Sequence, residues 1–372
     1  MTDRKELLKE LEILSNAFGP SGFEEEVIQK IAGLADTLHC ENDAMNDLYM
    51  TADGKINHDR PVFMLDAHLD ECGFMIQSIE DNGLMPFVML GGWHMSAVPA
   101  HSVIIRTSSG RKVRGIITSK PVHFMSAKER ADSSLEIEKH YIDVGCSSRQ
   151  EVIDTYGIMP GDPVMPDVAY SYDEDGDICF GKAFDNRVGC LCILETMRRL
   201  QQIGFDKLDV EPVGAFAVQE EVGERGAAVT AVRVKPDFAI VFEGSPADDI
   251  YVPKNTAQGS LRKGVQIRHF DRSYISNPRF IQYAMERADE KGIRYQNAVR
   301  RGGGTNAGIL HNKTDAVPVL VLGVPCRYVH THYNFCAPED IEAAVCMAVE
   351  VITGLDPAKQ AYILGKNILK RD

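Results

Sequence analysis

The chain has 372 residues, of which 44% are hydrophobic and 25% are charged, and this composition is ordinary for a globular protein. The length favours two domains, or one domain with a large insertion, and the formal net charge of −14 argues against a nucleic-acid-binding surface, which needs a positive field. The longest apolar runs, at residues 61–65 and 317–322, are far shorter than the roughly 20 residues of a membrane span, so we expect no membrane segment.

Two amphipathic helices are predicted at the start of the chain. Apolar residues at positions 7, 8, 11 and 14 form a helical stripe within residues 6–18. Glycine and proline then break the pattern, and Ser21 and Glu24 match a capping box before a second helix that extends to about residue 38. The first clear core strand covers residues 61–66.

The pattern changes between residues 73 and 165. Short β-rich stretches, clearest at residues 103–106 and 113–117, alternate with Gly, Ser and Pro turns, and helical periodicity is scarce. We therefore predict an inserted all-β domain over residues 73–165, which interrupts a discontinuous domain made of residues 1–72 and 166–372.

Helices and strands alternate again after residue 180. We predict helices at residues 185–200, 277–291 and 338–355, and strands at residues 214–219, 238–242 and 317–322. This alternation is typical of an α/β sheet domain.

The first residues and the cysteines favour a cytoplasmic protein. The N-terminal segment has no apolar signal core, so nothing in it predicts export. The nine cysteines are scattered from Cys40 to Cys346 without a Cys-x-x-Cys pair, which argues against a zinc ribbon and against a disulfide framework.

Histidines and carboxylates collect where the predicted strands end or a helix begins. They are His68 and Asp70 after the first strand, Glu220 and Glu221 after the second, Glu243 after the third, His330 after the fourth, and Asp185 at a helix start. One such residue alone is more often structural. Because ligand sites in open α/β sheets lie beyond the carboxyl ends of the strands, the coincidence of these positions predicts a two-metal carboxylate and imidazole site.

The adjacent Glu220 and Glu221 directly follow the apolar run at residues 213–218. Two like charges at the mouth of a buried strand repel each other unless a cation compensates them or one is protonated. A metal pair would remove this conflict. Because the two residues are adjacent, we expect one carboxylate to bind metal while its neighbour faces the bound water.

Specific motifs follow one another along nearly the whole chain. They are Gly19-Pro-Ser-Gly-Phe-Glu24, Leu65-Asp-Ala-His-Leu-Asp-Glu71, Gly91-Gly-Trp93, Asp143-Val-Gly145, Gly157-Ile-Met-Pro-Gly-Asp162, Ala183-Phe-Asp-Asn-Arg-Val-Gly189, Gln219-Glu-Glu-Val-Gly223, Gly302-Gly-Gly-Thr305 and Arg327-Tyr-Val-His330. With them the chain resembles the tetrahedral aminopeptidases, the glutamyl-aminopeptidase and deblocking-aminopeptidase family of two-metal peptidases. The resemblance implies a mixed-sheet peptidase domain of the two-zinc exopeptidase type, with helices on both faces and a small inserted β domain.

The resemblance also implies a role for each candidate residue. Asp185 would bridge two divalent metal ions, and Glu220 would be the general base. The remaining ligands would be His68 and Glu243 on one metal and Glu221 and His330 on the other, with Asp70 orienting His68. Zinc suits such mixed ligands best and cobalt is a plausible substitute.

The implied activity is the removal of N-terminal residues from short peptides. The implied assembly is a closed homo-oligomer, a dodecamer shaped as a tetrahedron, in which the β insertion makes much of the dimer contact.

Two residues depart from the family pattern. Glu243 stands where Asp is more familiar, and in related two-metal peptidases Glu tends to accompany carboxypeptidases or deacylases. Asn306 likewise stands where Asp is expected. A two-metal carboxypeptidase or an N-acyl amino acid deacylase therefore remains an alternative, as do a glycosidase with paired carboxylates and a non-catalytic scaffold that keeps the fold.

Overall fold

A computed structural model describes residues 3–127 and 136–366, so residues 1–2, 128–135 and 367–372 of the predicted domains lie outside the described residues. The helices are α1 Arg4–Asn16, α2 Glu25–Leu34, α3 Arg149–Tyr156, α4 Phe184–Ile203, α5 Arg225–Val234, α6 Pro278–Lys291, α7 Ala307–Leu310, α8 Pro338–Thr353 and α9 Pro357–Ile363. The strands are β1 His39–Asn42, β2 Leu48–Thr51, β3 Val62–His68, β4 Gly73–Ile76, β5 Phe87–Leu90, β6 Ser102–Arg106, β7 Lys112–Ile117, β8 Ile142–Asp143, β9 Pro163–Pro166, β10 Ser171–Asp173, β11 Ile178–Gly181, β12 Glu211–Ala217, β13 Phe238–Pro246, β14 Val265–Phe270, β15 Tyr295–Val299, β16 Val319–Arg327 and β17 Asn334–Cys336.

The larger sheet has eleven strands in the order β1-β2-β12-β3-β13-β16-β17-β11-β10, with β14 paired to β16 and β15 paired to β14. Its four central strands, β12, β3, β13 and β16, are parallel neighbours. Their sequences are nearly continuous apolar runs because a central parallel strand is covered on both faces. The prediction of an α/β fold with a mixed sheet is confirmed.

Alternate residues of the central strands enter two different cores, as the period of two in a strand requires. Phe63 and Leu65 of β3 pack with the cluster that contains residues of α1, α2, α4, α6 and α8. Val62 and Met64 point to the other cluster, which contains residues of α5 and α7. The helices therefore cover both faces of the sheet.

The segment predicted as an insertion contains a second, six-stranded sheet in the order β5-β4-β9-β6-β7-β8, and all its strand pairs are antiparallel. It has its own hydrophobic cluster, in which Trp93 stacks on Phe74 with ring centroids 4.8 Å apart. The segment also contains the helix α3, which the all-β prediction did not include. The domain boundaries at residues 73 and 165 stay a prediction.

The capping-box interpretation of Ser21 and Glu24 is wrong. Helix α2 begins after Glu24, and no side-chain hydrogen bond caps its N-terminus. The Ser21 hydroxyl donates instead to Asp70, and the Glu24 carboxylate accepts from the backbone of Gly22 and Gln219. These two side chains therefore bind the loops that follow β3 and β12 and do not cap the helix. Within the described residues, no helix is long and apolar enough to cross a membrane.

Candidate metal centre and active site

Neighbouring strands deliver the predicted residues to one edge of the larger sheet. His68 is the last residue of β3, and Glu220 and Glu221 lie just beyond β12. Glu243 lies within β13, one residue beyond the predicted strand, and β13 continues past it. The other two predicted ligands come from connections, Asp185 at the start of α4 and His330 between β16 and β17. The structure brings all of these side chains, together with Asp70, into one cluster.

Asp185 lies between the two histidines. Its Oδ1 atom is 3.2 Å from His68 Nε2, and its Oδ2 atom is 3.5 Å from His330 Nε2. Glu243 Oε2 lies 3.9 Å from His68 Nε2, and Glu221 Oε2 lies 3.9 Å from His330 Nε2. Each carboxylate oxygen of Asp185 thus faces one histidine, and each histidine has a further glutamate beside it.

The Nδ1 atom of each of the two histidines lies close to an oxygen atom. His68 Nδ1 lies 3.1 Å from the backbone carbonyl oxygen of Asp70 and 3.4 Å from its carboxylate, and His330 Nδ1 lies 2.8 Å from the carbonyl oxygen of Gly92. When each Nδ1 carries the proton and donates it to that oxygen, both Nε2 lone pairs face the cluster, which is the arrangement common to metal-binding histidines.

The donor set fits a divalent metal ion. Two imidazole nitrogens and carboxylate oxygens are ligands that zinc accepts, and the atoms of His68, Asp185 and Glu243 lie within 4.8 Å of one another. Glu243 Oε1 is buried and has no hydrogen-bond partner among the described residues. Because buried polar atoms are almost always satisfied, this oxygen is consistent with a ligand role.

The titratable groups show how negative the cluster is. Burial raises the pKa of Glu221 to about 7 and that of Glu243 to about 8, and it raises the pKa of Glu220 well above its ordinary value. Burial alone would lower the pKa of His68, but Glu220 and Asp185 hold that pKa well above its ordinary value. The hydrogen bond with Asp185 raises the pKa of His330 to about 10. The raised pKa values of the glutamates and of the histidines both mean that the cluster favours added positive charge.

Asp70 holds the turn that carries the two glutamates. Its Oδ1 atom accepts the N–H of Glu220 at 2.9 Å, and its Oδ2 atom accepts the N–H of Glu221 at 3.1 Å and the hydroxyl of Ser21 at 2.6 Å. Glu24 Oε1 accepts the preceding N–H, that of Gln219, at 3.1 Å. Three consecutive backbone donors are thus bound by two buried carboxylates, which fixes the orientation of Glu220 and Glu221.

A buried ion cluster lies under the loop after His68. Lys182 Nζ contacts both carboxylate oxygens of Glu71, at 2.7 and 2.8 Å, and Arg187 Nη2 lies 3.1 Å from the same carboxylate. Arg187 also donates to the carbonyl oxygen of Leu69 at 2.9 Å. These bonds connect the Asp70 loop to the segment that carries Asp185.

Several residues of the site are not predicted from the sequence to lie there. Ser21 donates to Asp70, and Glu24 accepts the N–H of Gln219. Cys72 Sγ lies 3.7 Å from His330 Nδ1, and Asn186 donates to the carbonyl oxygen of Phe242 at 2.7 Å. Most belong to the motifs that carry the family resemblance, which is the signal that could have identified them. Glu224, which also lies in the cleft, directly follows one of these motifs.

The cluster opens into a cleft of about 300 Å³. Its lining residues are His68, Gly92, Asp185, Glu220, Glu221, Gly223, Glu224, Glu243, Gly303, Gly304 and His330. A cluster of carboxylates and imidazoles at the carboxyl ends of parallel strands is typical of the class of metal-dependent hydrolases.

Comparison with known proteins identifies the family. The model of the M42 glutamyl aminopeptidase family matches residues 48–347. The chain belongs to this family and is an aminopeptidase. Peptidases of this family are metal-dependent, and the described groups could hold a metal ion.

Individual relatives are similar to this chain over nearly its full length. The glutamyl aminopeptidase of Lactococcus lactis is 30% identical over 360 residues, which are 96% of this chain and 99% of the relative. The TET aminopeptidase from a marine sediment thaumarchaeon has a TM-score of 0.90 and 33% identity, over 96% of this chain and 99% of the other. The TET1 peptidase of Pyrococcus horikoshii, which can assemble into a tetrahedron or a large octahedral shell, has a TM-score of 0.81 and 25% identity, over 93% of this chain and 99% of the other.

Proposed function

We propose that the chain removes N-terminal residues from short peptides with water activated between two divalent cations, and that Glu220 is the general base. One observation carries the proposal: the two carboxylate oxygens of Asp185 each face the Nε2 atom of a different histidine. A carboxylate so placed is suited to bridge two cations.

The ligands divide into two sets around Asp185. His68 and Glu243 would complete one set, and Glu221 and His330 would complete the other. Two divalent cations held there, zinc most suitably and cobalt as a substitute, would lower the pKa of a shared water and polarise the scissile carbonyl group. Glu243 reaches the cluster as an aspartate would, with one more methylene, so it is compatible with this ligand role.

Glu220 is suited to move the proton. Its carboxylate lies 3.9 Å from His68 Nε2, and Asp70 fixes the backbone beneath it. Burial raises the pKa of Glu220 in the absence of cations, so the carboxylate is a stronger base than an exposed glutamate. It would accept a proton from the attacking water and donate it to the departing amine as the C–N bond breaks, a transfer that usually contributes about 10²–10⁴-fold.

The charge of the cleft supports cleavage at the N-terminus. The free α-ammonium group of a peptide is positive, and the cleft is lined by five carboxylates, those of Asp185, Glu220, Glu221, Glu224 and Glu243. With two divalent cations bound, one negative charge would remain in the cleft, and it would attract the ammonium group and repel a C-terminal carboxylate. This favours the aminopeptidase over the carboxypeptidase alternative.

A substrate panel tests the proposal. We expect the zinc- or cobalt-loaded protein to hydrolyse aminoacyl-anilides with a free amine and to lose activity with a chelator. The N-acetylated anilides and the peptides blocked only at the N-terminus serve as controls. Cleavage of blocked substrates at a rate equal to that of free ones would contradict the proposal and favour a deacylase or a carboxypeptidase.

We also propose a closed dodecamer in the cytoplasm, in which the β insertion makes much of the dimer contact. Val122 and Phe124 of the insertion are exposed apolar side chains, and Phe124 is 74% exposed. Exposed apolar groups of this kind often mark protein contacts. Enclosed active sites would admit short or unfolded peptides and exclude folded proteins.

A further inference from the structure

Glu224 is an acidic side chain of the cleft that the proposed chemistry does not use. It lies three residues beyond Glu221, at the N-terminus of α5, and lines the same cleft as the two histidines. It is half-buried, and no Lys or Arg of the described chain is within ion-pair distance of it. The N-terminus of α5 favours a negative charge at this position, and the carboxylate remains free to bind a cationic group that enters the cleft.

Two glycines, Gly303 and Gly304, line the cleft near Glu224. A Cβ atom placed on Gly304 would lie only 2.8 Å from Glu224 Oε1, whereas one placed on Gly303 would meet open space. A side chain at position 304 would therefore collide with the carboxylate or cover it. With glycine there, Glu224 stays accessible from the cleft.

The negative charge of Glu224 is not balanced by the other groups that line the cleft. Four carboxylates, those of Asp185, Glu220, Glu221 and Glu243, would be matched in formal charge by two divalent cations. No Lys or Arg of the described chain lines the cleft. Glu224 would then add a net negative charge to the cleft that the substrate enters.

We propose that Glu224 determines specificity by binding a basic side chain, Lys or Arg, on the N-terminal residue of the substrate. This inference rests on the proposed aminopeptidase function and names its substrate class. A guanidinium or ammonium group would form an ion pair with Glu224 in a half-buried site, whereas an acidic side chain would be repelled. A neutral apolar residue would be accepted without either effect.

Two exposed arginines near the glycines would favour the opposite substrate charge if they contacted the substrate. The backbone N–H of Arg272 donates to the carbonyl oxygen of Gly303 at 3.2 Å, and Arg301 directly precedes the glycines. Neither lines the cleft. If they contacted the first side chain, substrates that begin with Glu or Asp would be preferred. Arg301 therefore provides a matched control for Glu224.

The test compares lysyl, leucyl and glutamyl anilides on the metal-loaded enzyme. We expect kcat/KM to fall in the order lysyl, leucyl, glutamyl for the unmodified protein. Glu224→Gln should lower the ratio of lysyl to leucyl kcat/KM by about tenfold, the effect of one partly buried ion pair. Glu224→Lys should raise the glutamyl value above the lysyl value. Arg301→Gln should leave the lysyl-to-leucyl ratio within about twofold.

Metal content and thermal unfolding of each variant would show that the fold and the cations are retained. A second measurement needs no variant: free lysine should inhibit the unmodified enzyme more strongly than free leucine, and free glutamate least. A preference of the unmodified enzyme for glutamyl substrates, or an unchanged ratio in metal-loaded Glu224→Gln, would overturn the specificity role while leaving the aminopeptidase proposal intact. Failure of the metal-loaded enzyme on every free-amine substrate would overturn both.

Discussion

The Asp70 carboxylate connects the parts of the site at the scale of a single residue. It accepts the N–H groups of Glu220 and Glu221 and the hydroxyl of Ser21, and it lies 3.4 Å from His68 Nδ1. Burial alone would raise the pKa of Asp70, but His68, Ser21 and the N–H of Glu220 lower it, so the carboxylate stays charged. It orients a histidine and the glutamate turn together.

Asp70→Asn should lower kcat by about 10–100-fold, the usual effect of removing a partner that orients a metal ligand. The amide would turn an N–H₂ group towards a backbone donor and leave that donor unsatisfied. Ser21→Ala is the milder comparison, because it removes one hydrogen bond and should cost only about 1 kcal/mol in the free energy of unfolding. Steady-state kinetics and metal affinity of both variants measure this difference. Equal effects of the two changes would contradict a positioning role for Asp70.

Glu220→Gln should keep the fold and the metal content but lower kcat by at least about 10²-fold. The amide is similar in shape to the carboxylate but cannot accept the proton of the attacking water. Turnover and metal content should be measured on the same preparation, with Glu25→Gln on the surface of α2 as the control. Near-normal turnover in the metal-loaded variant would assign the base elsewhere.

The sequence predicts that the candidate residues lie close together because most of them follow a strand or begin a helix, and such positions can be recognised locally. The roles of these residues stay a prediction. The sequence misleads at Ser21 and Glu24, where the local spacing matches a capping box. Their real partners are distant in sequence: Ser21 contacts a residue 49 positions away and Glu24 one 195 positions away. A buried carboxylate selects partners by proximity in space, which a local pattern does not contain.

At the scale of elements, the Glu71 cluster shows how the loops are fixed. Lys182 and Arg187 are both fully buried and converge on one carboxylate. Each also donates to a backbone carbonyl group near the end of α1, Lys182 to Ala17 and Arg187 to Leu14. The cluster therefore ties α1, the loop after β3 and the start of α4 together. It supports the two segments that carry His68 and Asp185.

Lys182→Met should lower the free energy of unfolding by about 3 kcal/mol, because breaking a buried ion pair leaves the partner poorly compensated. Lys112→Met is the matched control. Lys112 Nζ lies 2.8 Å from Glu26, but both side chains are partly exposed, so the loss should stay within about 1 kcal/mol. Urea denaturation at fixed protein and metal concentration gives both values. Similar losses would show that burial does not strengthen the Glu71 contact.

The bounds of the elements show what periodicity can predict. The strand predicted at residues 317–322 continues as β16 to Arg327, because Gly323 to Cys326 pair with β13 although glycine and proline suggest a turn. Helix α5 and the strands β14 and β15 were not predicted. Strand pairing across the sheet determines β14 and β15, and a single segment does not show its partners.

At the scale of the whole molecule, the strand order depends on contacts between distant segments. The neighbours β12, β3, β13 and β16 are not consecutive in the chain, so the alternation of elements predicts the class of fold but not this order. The change in pattern near residue 73 did indicate a separate β segment. Its role in assembly stays a prediction.

Light scattering should give a mass about twelve times the 41.2 kDa mass of one chain for the metal-loaded protein. Closed symmetric assemblies are the usual form of homo-oligomers, and the exposed apolar side chains of the insertion would be covered in such a form. Phe124→Asp should shift the mass to smaller species, whereas a substitution of the exposed Asp53 by Asn should not. A fully active monomer would exclude the cage.

The central claim is that two cations share Asp185, and a zinc titration of the metal-free protein tests it most directly. Bound metal and hydrolysis of an aminoacyl-anilide are measured together in each sample. We expect turnover to reach its plateau at two bound ions per chain, Asp185→Asn to weaken both sites and His330→Ala to weaken chiefly one. Full turnover with one bound ion, or two sites of undiminished affinity in Asp185→Asn, would contradict the bridged two-metal centre.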